Sequence, residues 1–189
     1  MDIETIDINS KLVERARQGD QQAMYRLYKT HVQAMYNICI RIVVNQFDAE
    51  DILQESFVSA FNSLSSFKAE SSFGGWLKRI VINKSLNALR QKKQTFTDLD
   101  NLHIAYEESD DNEDFPEVTP ETIHEAIKTL PEKARVVLNL YLLEGYRHKE
   151  IADMLEISES TSKSQYQRAR KMLRDKLMDG LKLKTVNEN

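Results

Sequence analysis

Cysteine, proline, glycine and long apolar runs are all scarce in this chain, and each scarcity excludes a class of protein. One cysteine among 189 residues, Cys39, leaves no partner for an internal disulfide, and its apolar setting (MYNICIRIVV) reads as a plain core thiol. No apolar run approaches the roughly 18 residues that a membrane span requires. The amino-terminal MDIETIDINS is acidic where a secretory signal is basic and then greasy, so the expectation is a cytoplasmic protein without membrane insertion. His31, His103, His124 and His148 are scattered without the spacing of a metal site, and no Ser/His/Asp or paired-carboxylate arrangement stands out. The expectation is therefore no catalytic residue, no cofactor, no metal and no enzymatic activity.

What is abundant is charge. With 30% charged residues against five Gly and three Pro, the composition favours helices with solvated outer faces, and an all-α protein is expected. The net charge of −4 argues against nucleic acid only as an average. Residues 94–120 hold nine acids and no Lys or Arg, which leaves the flanking parts at +3 and +2. Between Ser160 and Lys176 there are six basic residues and one acid, a density suited to a phosphate backbone.

The same charge pattern divides the chain. Residues 1–93 and 121–189 read as two small helical domains, and the stretch between them, acidic with two prolines and no sustained helical period, reads as a flexible linker over 94–120. In the first block Gly19-Asp20 marks a helix end followed by a cap. The next helix carries Ala23, Met24, Leu27, Tyr28, His31, Met35, Ile38 and Ile42 as a core stripe. A further helix is expected to begin near Asp48. It places Leu53, Phe57, Ala60, Phe61 and Leu64 on one side and Asp48, Asp51, Gln54 and Glu55 on the other, giving an acidic outer face.

Two constellations bear on function. After Gly74-Gly75 a helix projects Trp76, Arg79, Asn83, Asn87 and Arg90 within roughly 80° of one another. An aromatic, amide and guanidinium stripe of this kind can stack on unpaired bases, bond their edges and neutralise phosphates, although an ordinary solvated face has the same pattern. Near the carboxyl end, EIADMLEISESTSKSQYQRARKML has the form of a helix-turn-helix: a helix to Leu155, a turn through Glu156-Ile157 and a second helix opened by Ser158. On that second helix Ser162, Tyr166, Ala169 and Leu173 fall within about 60° of each other, while Lys163, Ser164, Gln167 and Lys171 lie opposite, flanked by Arg168 and Arg170. One side packs, and the other is equipped to donate to guanine, bridge adenine and touch phosphate.

These segments, in this order, resemble the extracytoplasmic-function sigma factors, bacterial subunits that direct RNA polymerase to promoters. The resemblance runs from about Gly19 to Leu177. GDQQAMYRLY resembles the opening helix of the family, and DAEDILQESFVSAF is similar to its polymerase-binding signature. SSFGGWLKRIVINKSLNALR resembles its promoter-melting and minus-ten-reading segment, and LPEKARVVLNLYLLEGYRHKEIADMLEISESTSKSQYQRARKML its minus-thirty-five-reading domain. The resemblance implies core RNA polymerase and promoter DNA as partners, with an anti-sigma factor besides. It implies that Asp48, Glu50, Asp51, Gln54 and Glu55 contact the polymerase. Arg79, Asn83 and Lys84, with Trp76 and Asn87 on the same helix, would lie beside the opened non-template strand, and the loop Ser71 to Gly75, including Ser72 and Phe73, near a flipped base. Lys163, Ser164, Gln167 and Arg168 would sit in the major groove, with Thr161 at the helix opening and Arg170 and Lys171 close to the backbone. The acidic linker would thread the polymerase cleft in the path of RNA.

Three departures from the family pattern stand out. Ser160-Thr161-Ser162 replaces the usual Gly-Thr-Val, so a polar Ser162 occupies a packing position. Gln165 stands where Arg is common, and Gly74-Gly75 replaces bulkier residues, which predicts a more mobile base-capturing loop. The rival reading is a free-standing helix-turn-helix regulator that binds duplex DNA as a dimer. The acidic face of DAEDILQES argues against it.

Overall fold

The computed structural model describes the backbone of residues 3–68, 71–95 and 118–187. Most of the acidic stretch expected as a linker lies outside the described residues. Among the described residues there are helices and no strands, and the chain divides into two units, Met1–Asp98 and Leu99–Asn189.

The first unit holds α1 (Ile3–Arg17), α2 (Gln21–Val43), α3 (Gln46–Asn62), a single 3-10 turn (Leu64–Ser66) and α4 (Phe73–Thr95). Its helix ends follow local chemistry. Gly19 at φ 85° turns the chain out of α1. Asp20 then caps α2, its Oδ1 accepting from the backbone N–H of Gln22 at 2.9 Å and of Ala23 at 3.1 Å. Arg15 donates to the other oxygen at 2.6 Å, and this bond, with the cap amides, holds the Asp20 carboxyl below its ordinary range. Asn45 caps α3 by accepting from Asp48 N–H at 3.0 Å, so the helix begins two residues before the expected Asp48. Arg17 donates to the carbonyls of Leu64, at 3.1 Å, and of Phe67, which fastens the 3-10 turn to α1.

The core of this unit lies between α2, α3 and α4, with Leu27, Ile42, Phe57, Leu77, Val81 and Ile82 nearly inaccessible. Cys39 is buried among them, and loss of water around the thiol pushes it up to about 11, as fits a packing residue. Of the stripe expected on α2, Ala23, Leu27, Met35, Ile38 and Ile42 are buried, whereas Met24 and His31 are half-buried. Tyr28 departs from that expectation at 36% exposure. Its ring meets Phe57 edge-on at 4.8 Å on one side and faces solvent on the other, as suits a residue with a polar tip.

The second unit comprises α5 (Pro120–Lys128), α6 (Glu132–Leu138) continued by one π turn (Asn139–Leu143), α7 (His148–Leu155) and α8 (Glu159–Asn187). Thr119 caps α5, and Pro120 at its start loses no bond because its missing N–H would be unsatisfied there anyway. Ile127, Leu130, Ala134 and Leu138 from α5 and α6 close on Ala169, Leu173 and Leu177 from α8. Burial of this kind contributes about 1.5–3 kcal/mol per large side chain. Gly145 at φ 79° opens the turn into α7, and Glu156 at φ 57° closes α7 in the left-handed conformation.

Candidate nucleic-acid interface

Glu156 sets the geometry of the helix-turn-helix. With its left-handed backbone the chain reverses in two residues, Ile157 N–H bonding Ala152 O at 3.1 Å, and Ser158 then caps α8 by accepting from Thr161 N–H at 3.0 Å. The two sides of α8 separate as the sequence predicts. Ser162, Ala169 and Leu173 are buried and Tyr166 half-buried, whereas Lys163, Ser164 and Lys171 are exposed. Thr161, Gln167, Arg168 and Arg170 are intermediate at the boundary between the two. Two of the outward groups are held in place: Lys163 Nζ lies 2.8 Å from Glu159 Oε1, and Ser164 Oγ donates to Thr161 O at 3.0 Å. The Arg170 guanidinium lies over the Tyr166 ring.

Ser162, the polar residue in a packing position, is fully buried and satisfied: its Oγ lies 2.9 Å from His148 Nδ1 at the start of α7. His148 is stacked on Tyr141 at 4.3 Å, and Tyr166 closes the cluster at 4.5 Å from Tyr141 and 5.6 Å from His148. Without a partner, a buried hydroxyl here would cost about 1–3 kcal/mol. Burial, and then the nearby Lys163 charge, push the His148 imidazole below its ordinary 6.5. In the sequence His148 is one of four scattered histidines with nothing nearby to mark it. The signal that would have found it is Ser162 itself, since a hydroxyl on the buried side of a helix demands a bonding partner.

On α4 the stripe Arg79, Asn83, Asn87 and Arg90 is exposed, and Arg90 Nη1 donates to Asn87 Oδ1 at 3.0 Å. Trp76 is half-buried, its ring 5.2 Å from Phe67 and 5.9 Å from Phe73. Two expectations at the start of this helix are corrected. Ser72 caps it by accepting from Gly75 N–H at 3.1 Å, so Gly74 and Gly75 form its first turn and not a loose loop. Phe73, expected near a flipped base, is only 3% exposed and packs against Phe67, Trp76 and His31. Its ring is a core group. Ser72 is exposed beside it.

The acidic side of α3 faces outward, with Glu50, Asp51, Gln54 and Glu55 exposed and Asp48 partly so. It is tied to α4 at two points: Glu55 Oε2 lies 3.3 Å from Lys84 Nζ, and Asp48 pairs with Lys92. Lys84, next to Asn83 on α4, thus reaches across to α3. Among the described residues no His, Cys, Asp and Glu cluster is able to hold a metal ion, and no helix is long and apolar enough to cross a membrane.

Comparison with known proteins matches the two units to two families in turn. Residues 27–95 match "Sigma-70 region 2", and residues 121–173 match "Sigma-70, region 4". The ECF RNA polymerase sigma-E factor of Haemophilus influenzae is 30% identical over 88% of this chain and 93% of its own. The ECF RNA polymerase sigma factor SigW of Bacillus subtilis is 30% identical over 89% of this chain and 96% of its own. The sigma factor RpoE of Bartonella quintana, solved in complex with the anti-sigma factor NepR, shares the fold with a TM-score of 0.55 at 21% identity, over 82% of this chain and 96% of that one.

Proposed function

The chain belongs to the extracytoplasmic-function sigma factors of RNA polymerase, and from that premise we propose a division of labour among its faces. As a transcription initiation factor it binds core RNA polymerase and directs it to promoters, with a region 2 unit and a region 4 unit that recognises the minus-thirty-five element. In our reading the first unit spans residues 1–93, the linker 94–120 and the second unit 121–189. The exposed side of α8 enters the major groove, with Lys163, Ser164, Gln167 and Arg168 toward base edges and Thr161, Arg170 and Lys171 toward phosphates. The α4 stripe of Trp76, Arg79, Asn83 and Asn87, with Ser72 and Lys84 near it, holds the opened minus-ten strand. The acidic side of α3, Asp48 to Glu55, meets the polymerase.

The observation that carries this reading is the two-sidedness of α8, where Ser162, Ala169 and Leu173 are buried while Lys163, Ser164 and Lys171 face solvent behind a two-residue turn. Activity then comes from binding energy: stacking and hydrogen bonds to unpaired bases offset part of the cost of melting. The reading needs no catalytic group and no cofactor, and it places the protein in the cytoplasm, where the polymerase is. The likeness to a sigma factor solved with NepR supports an anti-sigma protein as a further partner.

The test is run-off transcription with bacterial core enzyme and a genomic promoter library. The expected result is a set of discrete start sites absent with core alone. A folded sample that neither binds core nor starts transcripts would overturn the reading, and a shift of duplex DNA without core would favour the free-standing regulator instead.

A further inference from the structure

Two helices of the reading unit are joined by a directed bond between side chains. His148 opens α7, and its Nδ1 meets the Oγ of Ser162, a residue with no exposed surface in the first turns of α8. The other packing contacts of α8 begin one turn farther along, with Tyr166 against Tyr141, and continue at Ala169, Leu173 and Leu177. Such contacts tolerate small rotations of a helix about its axis, because dispersion and burial carry little directional preference. A hydrogen bond does not tolerate them, since it weakens steeply with angle and distance.

The imidazole is itself packed on two sides. Tyr141 stacks flat on the His148 ring, with planes 12° apart, and Tyr166 meets its edge from one turn farther along α8. Burial, with the charge of Lys163, favours the neutral ring, which leaves one nitrogen with a proton and one without. Lys163, the next residue after Ser162, lies a rotation of about 100° away on the helix, so any turn of Ser162 swings Lys163 and Ser164 with it.

We propose that His148 is a positioning residue that sets the rotation of α8 through Ser162, and so fixes which bases of the upstream element Lys163, Ser164 and Gln167 can reach. The inference rests on α8 being the reading helix. It adds the group that aims it.

The test uses the full chain assembled with bacterial core enzyme. The probe is one promoter fragment recovered from the genomic library, mixed with the same fragment carrying a scrambled upstream element, and transcripts from the two are counted. Four variants are compared: His148→Asn, His148→Gln, His148→Phe and Ser162→Ala. An Asn carboxamide places a polar atom close to where Nδ1 lies, whereas Gln reaches nearer the Nε2 position and Phe offers none. The expected result is that Asn stays within about two-fold of the unmodified discrimination, while Gln, Phe and Ser162→Ala lose about ten-fold. Ser162→Ala is the smallest change and guards against loss of folding, which thermal melting also monitors. If His148→Phe and Ser162→Ala discriminate like the unmodified chain, or if Asn falls with Gln and Phe, the proposal is overturned. Lys163→Ala separates the two levels. Lost discrimination there alone refutes the positioning role, and unchanged discrimination in every variant refutes α8 as the reader.

Discussion

Glu55 and Lys84 face each other across α3 and α4 at 3.3 Å, so a residue of the proposed polymerase surface and one of the proposed strand-holding surface neutralise each other. The pair is largely open to water on the Glu55 side, and exposed pairs of this kind contribute only about 0–1 kcal/mol. It therefore shapes the two surfaces more than it stabilises the fold. On the proposed polymerase surface Glu55 is thus partly neutralised, and so is Asp48, paired with Lys92.

Asp51 lies on the same side of α3 and is exposed. Asp51→Arg is expected to weaken core binding through a reversed charge at the proposed contact, with promoter preference unchanged. Competition against another sigma factor for limiting core enzyme measures the first, and transcript ratios from two promoters measure the second. Glu55→Ala is expected to compete better than Asp51→Arg. Undiminished competition by Asp51→Arg would place the polymerase contact on another face.

Lys163 and Gln167 are proposed to reach base edges, so each alanine variant is expected to relax the upstream preference, at about 1–3 kcal/mol if a base contact is lost. Arg170 and Lys171, proposed to touch phosphate, should instead weaken binding evenly across sequences and reduce its salt dependence. Holoenzyme binding to a panel of single-base changes, at two salt concentrations, distinguishes the two patterns.

Burial along the helices is legible in the sequence where helical period alone decides it. Ser162, Ala169 and Leu173 share a side of α8 by spacing, and all three are buried. Asp20 and Ser158 were legible as caps because a short polar side chain before an amphipathic run has one favoured use. What depends on tertiary crossing was not legible. The family resemblance puts Phe73 near a flipped base, yet Ser72 starts α4 early enough to turn Phe73 inward against Phe67 and His31. The bond from His148 to Ser162 spans 14 residues, and the pairing of Lys84 with Glu55 spans 29, distances at which no local pattern specifies a contact.

Gly74 and Gly180 are both helical glycines, and alanine at the two sites is expected to act in opposite directions. At Gly180 a methyl group meets nothing within 4 Å, so Gly180→Ala should raise stability by about 0.5–1 kcal/mol through helix propensity. At Gly74 the methyl would lie 3.0 Å from Cε1 of His31, whose ring is held against Phe73. Crowding there should outweigh the propensity gain and cost about 1 kcal/mol net. Denaturant unfolding of both variants checks the signs, and His31→Ala combined with Gly74→Ala should recover most of the loss.

His31 also makes the first unit sensitive to acid. The ring is half-buried, its Nε2 finds no hydrogen-bond partner among the described residues, and burial lowers its pKa from the ordinary 6.5. Between the lowered folded value and 6.5 the unfolded chain therefore binds more protons than the folded one, and stability rises with pH across that window. The contribution is present above 6.5, declines as pH falls through that value, and levels off below the folded pKa. Trp76, the one tryptophan of the chain, packs in the same unit against Phe67 and Phe73, so its fluorescence follows unfolding of that unit alone. The midpoint of denaturant unfolding by this signal is expected to fall between pH 7.5 and pH 5.5. His31→Leu, which keeps apolar contact with Phe73 and has nothing to protonate, should flatten the slope. A slope as steep in His31→Leu as in the unmodified chain would assign the acid sensitivity to other groups.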